Sequence, residues 1–256
     1  MLINLKSAKK EFKKYVKQYD LSNEKIRLKA KHTLKVMNAS KKIAKSLKME
    51  KEDIKLAQII GLLHDIGRFE QIKTYNTFND NESVNHGELG IKILFDENLI
   101  RKFIKDDKYD SFIRIAIYNH NRLKIQDELS PKELLFAKII RDADKVDIFR
   151  VLEESSIEAI YNCDCMENEE ISPDILEDFF ENKSINYINR KTNADKCVTY
   201  MAYIFDFNFN YSIKIIKKNK CIEKLASRIK FKNPKTIEQF EKILKSANAY
   251  MDSRLK

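Results

Sequence analysis

The scarcest reactive side chains of this sequence are its four histidines, His32, His64, His86 and His120. An acidic residue, Asp65, follows His64 directly in the segment GLLHDIGR. Imidazole nitrogens combined with carboxylate oxygens are ligands that suit divalent transition metals. If the folded chain brings these side chains together, they could hold a metal ion.

The spacing of apolar residues places these groups on the inner faces of helices. His64 lies one helical turn after Ile60, and the other three histidines also lie on apolar faces. Asp144 similarly lies one turn after Ile140. A carboxylate on an apolar face is unfavourable unless it is paired or bound to a cation. The pattern predicts groups that point from separate helices into one interior, as metal sites in helical cores do.

Each of these features has a simpler explanation when it is taken alone. A histidine on an apolar face is usually a hydrogen-bonded core residue, and a single His-Asp dipeptide arises by chance. Asp144 could pair with Arg141 or Lys145, which are close in sequence. The combination of all these features favours the metal site.

The elements that would position these groups are helices. Only 4 glycines and 3 prolines occur in 256 residues, which argues against a sheet with many turns. Each proline follows a Ser or Asn, a typical helix start. Residues 69–85 are polar and aperiodic and predict a long loop. We predict an all-α fold with helices over residues 4–18, 22–47, 51–66, 86–96, 107–120, 131–153, 172–182, 193–217, 219–230 and 234–252.

The net charge of +10 is concentrated at the two ends of the chain. Residues 206–256 hold 13 Lys and Arg against 5 acidic residues. We therefore predict a helical domain over residues 1–205 and a basic C-terminal helical extension over 206–256, packed on the same domain. Basic surfaces can attract nucleic acid, but charge runs are usually solvated faces, and that interpretation is favoured.

The remaining features predict a soluble cytoplasmic protein. The first ten residues are charged and lack the apolar segment of a signal peptide, and no apolar run approaches the length of a membrane span. Cys163 and Cys165 are too close together for a zinc-ribbon pair, so free thiols are expected.

The order of these residues resembles the H…HD…D signature of the HD superfamily. His32, then His64-Asp65 in LLHDIGR, then Asp144 in RDADKVD match that signature. The segment HDIGRFEQ, with TFND and NHGELG after it, is similar to a bacterial group of HD-domain phosphohydrolases. The resemblance covers about residues 25–150 and implies an HD-type helical core and a metal-dependent phosphohydrolase.

His86 in VNHGELG and His120 in YNHNR resemble the dinuclear branch of the superfamily. Two known subgroups do not match. The Gly-Tyr-Pro element of the cyclic-di-GMP phosphodiesterases is missing. Asp65 is followed by Ile-Gly-Arg instead of the HDxxED pattern of the ppGpp hydrolases.

The resemblance implies how the metal would be held. His32, His64, Asp65 and Asp144 would bind one divalent ion, and mixed nitrogen and oxygen ligands suit Mn, Fe, Co, Ni or Zn. Asp65 could bridge to a second ion at the two remaining histidines. Alternatively, those histidines bind the phosphate of the substrate directly.

Catalysis would use metal-activated water with Asp65, Arg68 and Lys145 as the catalytic residues. Arg68 and Lys145 would neutralise charge on the phosphoryl group, although Arg68 could also be a solvated charge at a helix end. The expected substrate is a small phosphorylated molecule, with a nucleotide favoured. Two other functions remain open, a di-iron oxygenase and a non-catalytic nucleotide sensor.

Overall fold

The computed structural model describes residues 3–161 and 166–256. All the regular elements in these ranges are helices, so the predicted all-α fold is confirmed. The thiols of Cys197 and Cys221 are free, as expected. Cys163 and Cys165 lie outside the described residues.

The α-helices occupy most of the described residues. They are α1 Leu5–Val16, α2 Glu24–Ser46, α3 Lys51–Leu63, α4 Ile66–Tyr75, α5 His86–Ile91, α6 Ile100–Phe103, α7 Asp110–His120, α8 Pro131–Glu154, α9 Ile157–Tyr161, α10 Pro173–Phe180, α11 Asn193–Met201, α12 Asn210–Lys218, α13 Cys221–Ser227 and α14 Pro234–Leu255. A π-helical turn, Lys92–Asp96, continues α5, and 3-10 turns occupy Asp80–Glu82, Tyr187–Asn189 and Ala202–Asp206.

The chain divides into two compact units, Met1–Asp147 and Ile148–Lys256, and the boundary falls within α8. The boundary expected from charge, between residues 205 and 206, lies inside the second unit. Charge along a chain reflects its solvated surface, whereas a compact unit is defined by packing, so the two boundaries need not coincide. The assignment of residues 1–205 and 206–256 as domains remains a prediction.

Helix α3 is the centre of the first unit. Every residue from Leu56 to Leu63 is buried, because α1, α2 and α7 all pack against this helix. A helix that is apolar on all sides belongs in a core. The centre of the unit is therefore a rigid base for the residues that follow α3.

The helix predicted over residues 51–66 is wrong at its end, because the chain does not continue as one helix through His64 and Asp65. Helix α3 ends at Leu63, and Asp65 has φ −105° and ψ 18°, outside the helical region. Helix α4 then occupies most of the first half of the predicted loop 69–85. The buried Phe69 and Ile72 recur at helical spacing, which the polar residues around them obscured.

The second unit contains several short helices and the long helix α14. Helix α12 packs on α14, α10 on α11, and α13 on both α11 and α14. The helix expected over residues 193–217 is divided, because the chain is extended at Phe207 and Phe209 between the 3-10 turn and α12. Several of its basic side chains form ion pairs, namely Lys217–Asp252, Lys224–Glu153, Lys232–Glu167 and Lys235–Glu170. Among the described residues, no helix has the length and apolar character needed to cross a membrane.

Gly67 allows α4 to approach α5 closely, and we predict that Gly67→Ala destabilises the protein. An added Cβ would lie 2.3 Å from the backbone oxygen of His86 and 2.6 Å from the nitrogen of Gly90. Backbone atoms cannot move as easily as side chains, so we expect a loss of about 1–3 kcal/mol in the free energy of unfolding, measured by urea titration.

Gly90→Ala is the matched control. Its added Cβ would first meet a methyl group of Ile66 at 3.3 Å, which can adjust. The Gly90 variant should therefore lose less stability than the Gly67 variant. Equal stability of wild type and Gly67→Ala would contradict the close approach.

Candidate metal centre

The six residues predicted as metal ligands converge within the first unit. Five segments supply them: His32 from α2, His64 and Asp65 from the turn between α3 and α4, His86 from the first residue of α5, His120 from the last residue of α7, and Asp144 from α8. All four histidines and Asp65 are buried. Side chains that are far apart in sequence thus form one cluster.

The carboxylate of Asp65 lies between two pairs of imidazoles. Its Oδ2 atom is 3.6 Å from Nε2 of His32 and 3.5 Å from Nε2 of His64. Its Oδ1 atom is 3.4 Å from Nε2 of His86 and 3.7 Å from Nε2 of His120. Each oxygen of one carboxylate therefore faces its own pair of nitrogens.

Asp144 completes the first of these two groups. Its Oδ1 atom is 2.9 Å from Nε2 of His32 and 3.6 Å from Nε2 of His64. Three residues, His32, His64 and Asp65, place their ligand atoms close enough together to hold a metal ion. The same is true of Asp65 with His86 and His120.

Backbone carbonyls fix the orientation of two of the imidazoles. Nδ1 of His64 is 2.9 Å from the carbonyl oxygen of Gly61, and Nδ1 of His120 is 2.6 Å from that of Ile117. A carbonyl only accepts hydrogen bonds, so Nδ1 carries the proton and donates it in both residues. The Nε2 lone pair of each ring is left pointing into the cluster.

Carboxylates orient the other two imidazoles. Nδ1 of His32 is 2.8 Å from Oδ2 of Asp147, and Nδ1 of His86 is 2.7 Å from Oδ2 of Asp80. Histidines that bind metals typically donate their other N–H to a carboxylate or a carbonyl in this way. All four histidines therefore present Nε2 to the centre.

These orientations leave hydrogen-bond acceptors facing one another, because the imidazole Nε2 atoms point at each other and at the carboxylate of Asp65. Nε2 of His64 is buried and has no hydrogen-bond partner among the described residues. Nε2 of His86 and Nε2 of His120 are only 2.9 Å apart. An unsatisfied buried acceptor costs about 1–3 kcal/mol. A divalent cation would satisfy these nitrogens and the oxygens of Asp65 together, so the residues present fit a metal ion.

Without metal, the electrostatic environment favours an ionised Asp65 and a neutral His86, which are the ligand forms, but it favours the charged form of His32. Burial opposes ionisation of Asp65, but Lys29 and His64 outweigh it and hold the pKa of Asp65 well below its usual value. Burial, assisted by Arg68, lowers the pKa of His86 to about 3, so this imidazole is neutral at pH 7. Burial and Lys29 oppose a charged His32, but the carboxylates beside it outweigh them and raise its pKa.

Three residues at the centre were not predicted. Lys29 donates from Nζ to Oδ2 of Asp65 at 2.6 Å, Asp147 orients His32, and Asp80 orients His86. Asp147 could have been found, because it lies on α8 only three residues after a predicted ligand. Lys29 and Asp80 carried no periodic signal, since their roles depend on tertiary contacts.

Arg68 lies beside the cluster and is anchored there. Its NH1 nitrogen donates to Oε1 of Gln71, to the carbonyl oxygen of Phe78 and to Oδ1 of Asp80, at 2.6–2.7 Å. Its Nε atom is 3.8 Å from Oδ1 of Asp65. Lys145 is half-buried on α8, next to Asp144 in sequence. The catalytic roles expected for Arg68 and Lys145 remain predictions.

Residues 30–148 match the family model of the HD domain. This match covers slightly less than half of the chain and supports membership of the HD-domain superfamily, whose members are generally metal-dependent hydrolases. The matched segment contains all six converging residues. Comparisons with curated proteins and with solved structures gave no match.

The low pKa of His86 predicts a specific dependence of stability on pH in metal-free protein. The unfolded chain binds a proton at this residue near pH 6.5, whereas the folded chain does so only near pH 3. The contribution of His86 to the free energy of unfolding therefore falls as the pH falls through this window. At pH 5 the free energy of unfolding should have fallen by about 2 kcal/mol on account of His86.

The measurement is urea unfolding from pH 7 to pH 5, for wild type and for His86→Gln. Gln cannot take up a proton, so the variant should lose about 2 kcal/mol less than wild type over this range. His32, whose pKa is raised, is present in both proteins and its effect cancels in the comparison. Parallel pH profiles of the two proteins would rule out the depressed pKa.

Proposed function

We propose that this protein hydrolyses a phosphate ester, a phosphomonoester or a phosphodiester, in a reaction that depends on divalent metal. The observation that supports the proposal is the set of imidazole Nε2 atoms that face the carboxylates of Asp65 and Asp144. Such a mixed set suits Mn, Fe, Co, Ni or Zn better than Mg or Ca. Similarity to the bacterial HDIGR-type group is part of this proposal.

The proposed ligands form two groups that share one carboxylate. His32, His64, Asp65 and Asp144 would hold one ion, and Asp65 would contribute to a second ion with His86 and His120. When bound, divalent metal supplies a Lewis acid that activates water and neutralises charge on a phosphoryl group. Positioning of the ligands and binding of the phosphoryl group would depend on the protein's own side chains.

Asp80 and Arg68 would position the group of ligands that contains His86. The hydrogen bond from His86 to Asp80 keeps Nε2 of His86 free of a proton and aimed at Asp65. Arg68 holds Asp80 in place through NH1, and its Nε is buried without a hydrogen-bond partner among the described residues. We propose that Nε of Arg68 and the ammonium of Lys145 are donors to phosphoryl oxygens.

The chain contains no phosphate-binding loop of the Walker or dinucleotide type. Phosphate recognition would therefore rest on metal and on cationic side chains. Nucleotides are the substrate class that we favour, and a cytoplasmic location would give access to them.

The first prediction for this function concerns His64. We expect purified wild type to contain a transition metal and to hydrolyse an aryl phosphate or a bis-aryl phosphate when supplied with Mn, Co or Ni. His64→Ala should lose most of its metal and at least 100-fold in kcat/KM, because Nε2 of His64 is buried with no hydrogen-bond partner among the described residues and would be free to bind metal.

Elemental analysis and a steady-state assay are the measurements. Gln58→Ala is the matched control, because Gln58 is a buried polar residue of α3 whose side-chain amide donates to the carbonyl oxygen of Ile54 in the same helix. This control should keep wild-type metal content. A wild-type protein that stays metal-free and inert with all three ions would refute the proposal.

The second prediction concerns the number of ions. In the double variant His86→Ala, His120→Ala we expect the metal content to fall from two ions per chain to one, because Asp65 alone would remain at the second position. Stoichiometry is measured by calorimetric titration of metal-free protein. One ion in both proteins, with activity lost only in the variant, would show that these histidines bind substrate instead.

A further inference from the structure

Lys29 occupies a position at the metal centre that the ligand set does not explain. It lies on α2, one turn before His32, and its Nζ is 2.6 Å from Oδ2 of Asp65. The same ammonium lies 5.3 Å from the centre of the Phe78 ring, a cation–π distance. Lys29 therefore places a positive charge where one oxygen of the shared carboxylate would bind metal.

The Lys29 side chain is partly exposed to solvent beside the cluster. The side chains of Lys29 and Asp144 are each 16% exposed, whereas those of His64 and Asp65 are 0% and 3% exposed. A ligand that enters from solvent would meet Lys29 and Asp144 before it reached the buried imidazoles. Lys29 is thus placed to contact the ligand directly.

The ammonium of Lys29 forms fewer hydrogen bonds within the described residues than the guanidinium of Arg68 does. Arg68 donates from NH1 to three acceptors and ties the segment of Phe78 and Asp80 to α4. The ammonium of Lys29 has three protons, and the hydrogen bond to Asp65 uses one of them. Its remaining protons can donate hydrogen bonds to an incoming oxygen.

We propose that Lys29 binds a terminal oxygen of the substrate's phosphoryl group and makes the site select phosphomonoesters over phosphodiesters. This inference rests on the proposed function and specifies its substrate class. A monoester carries between about 1.5 and 2 negative charges near pH 7. A diester carries one charge and has one terminal oxygen fewer, so it gains less from an ammonium at this point.

Competition for Asp65 distinguishes this role from a structural one. Lys29 and a divalent cation would both bind Oδ2 of Asp65. Two positive charges beside the same oxygen atom repel each other. Removal of Lys29 should therefore leave metal binding unchanged or tighten it. If Lys29 served only to position Asp65, its removal would weaken metal binding.

The test compares Lys29→Gln, Lys29→Arg and Lys35→Gln with wild type. Lys35 is an exposed lysine of the same helix and serves as the matched control. With an aryl phosphate, we expect Lys29→Gln to lose about 10- to 100-fold in kcat/KM, the effect of one charge-assisted hydrogen bond. With a bis-aryl phosphate the loss should be at most about threefold. Lys29→Arg keeps the charge and should recover part of the monoester activity.

A second readout does not depend on turnover. Calorimetry with inorganic phosphate and metal-loaded protein should show binding about 10-fold weaker in Lys29→Gln than in wild type and in Lys35→Gln. The affinity of metal-free Lys29→Gln for Mn should equal or exceed that of wild type.

The inference would be overturned if Lys29→Gln lost equal activity on both esters or bound metal more weakly than wild type. It would also be overturned if Lys29→Gln bound phosphate as tightly as wild type, or if wild type bound no phosphate. A wild type that binds phosphate through Lys29 yet hydrolyses neither ester would instead refute the proposed function. The two failures are therefore distinguishable.

Discussion

The structure of the first unit depends on one buried negative charge, the carboxylate of Asp65. Burying an ionised carboxylate costs several kcal/mol unless cations and donors surround it. Lys29 supplies one such charge, but the imidazoles of His64, His86 and His120 direct lone pairs toward the same region. A divalent metal ion would satisfy these lone pairs and the carboxylate together, which fits a cluster to which five separate segments contribute.

The break between α3 and α4 makes this arrangement possible. Consecutive residues of a continuous helix point about 100° apart, yet His64 and Asp65 both face the same centre. The non-helical backbone at Asp65 turns its side chain inward, and buried helices on either side hold the turn in place. A short loss of helical hydrogen bonding therefore gives two adjacent ligands in one site.

The helical fold and the convergence of the four histidines with Asp144 could be predicted, because both depend on the spacing of apolar residues. Asp65 was identified only by the resemblance to the HD signature. Helix α4 was missed because its apolar residues are few and surrounded by polar ones. The roles of Lys29 and Asp80 could not be predicted. Lys29 contacts Asp65, which is far away in the sequence. Asp80 lies in an irregular segment, where no periodic pattern indicates which way a side chain points.

The segment of residues 76–85 is polar, yet it is held in place by side chains of α4. Nε2 of Gln71 donates to Asp80, Ser83 and Val84, and Asp80 in turn accepts from His86. Segments held by few apolar contacts open more readily than the core. Local opening of this segment would release His86 from Asp80 without unfolding α3. If metal occupies both positions, an ion held by His86 and His120 would therefore exchange faster than one held by His32 and His64, where the supporting residues belong to long helices.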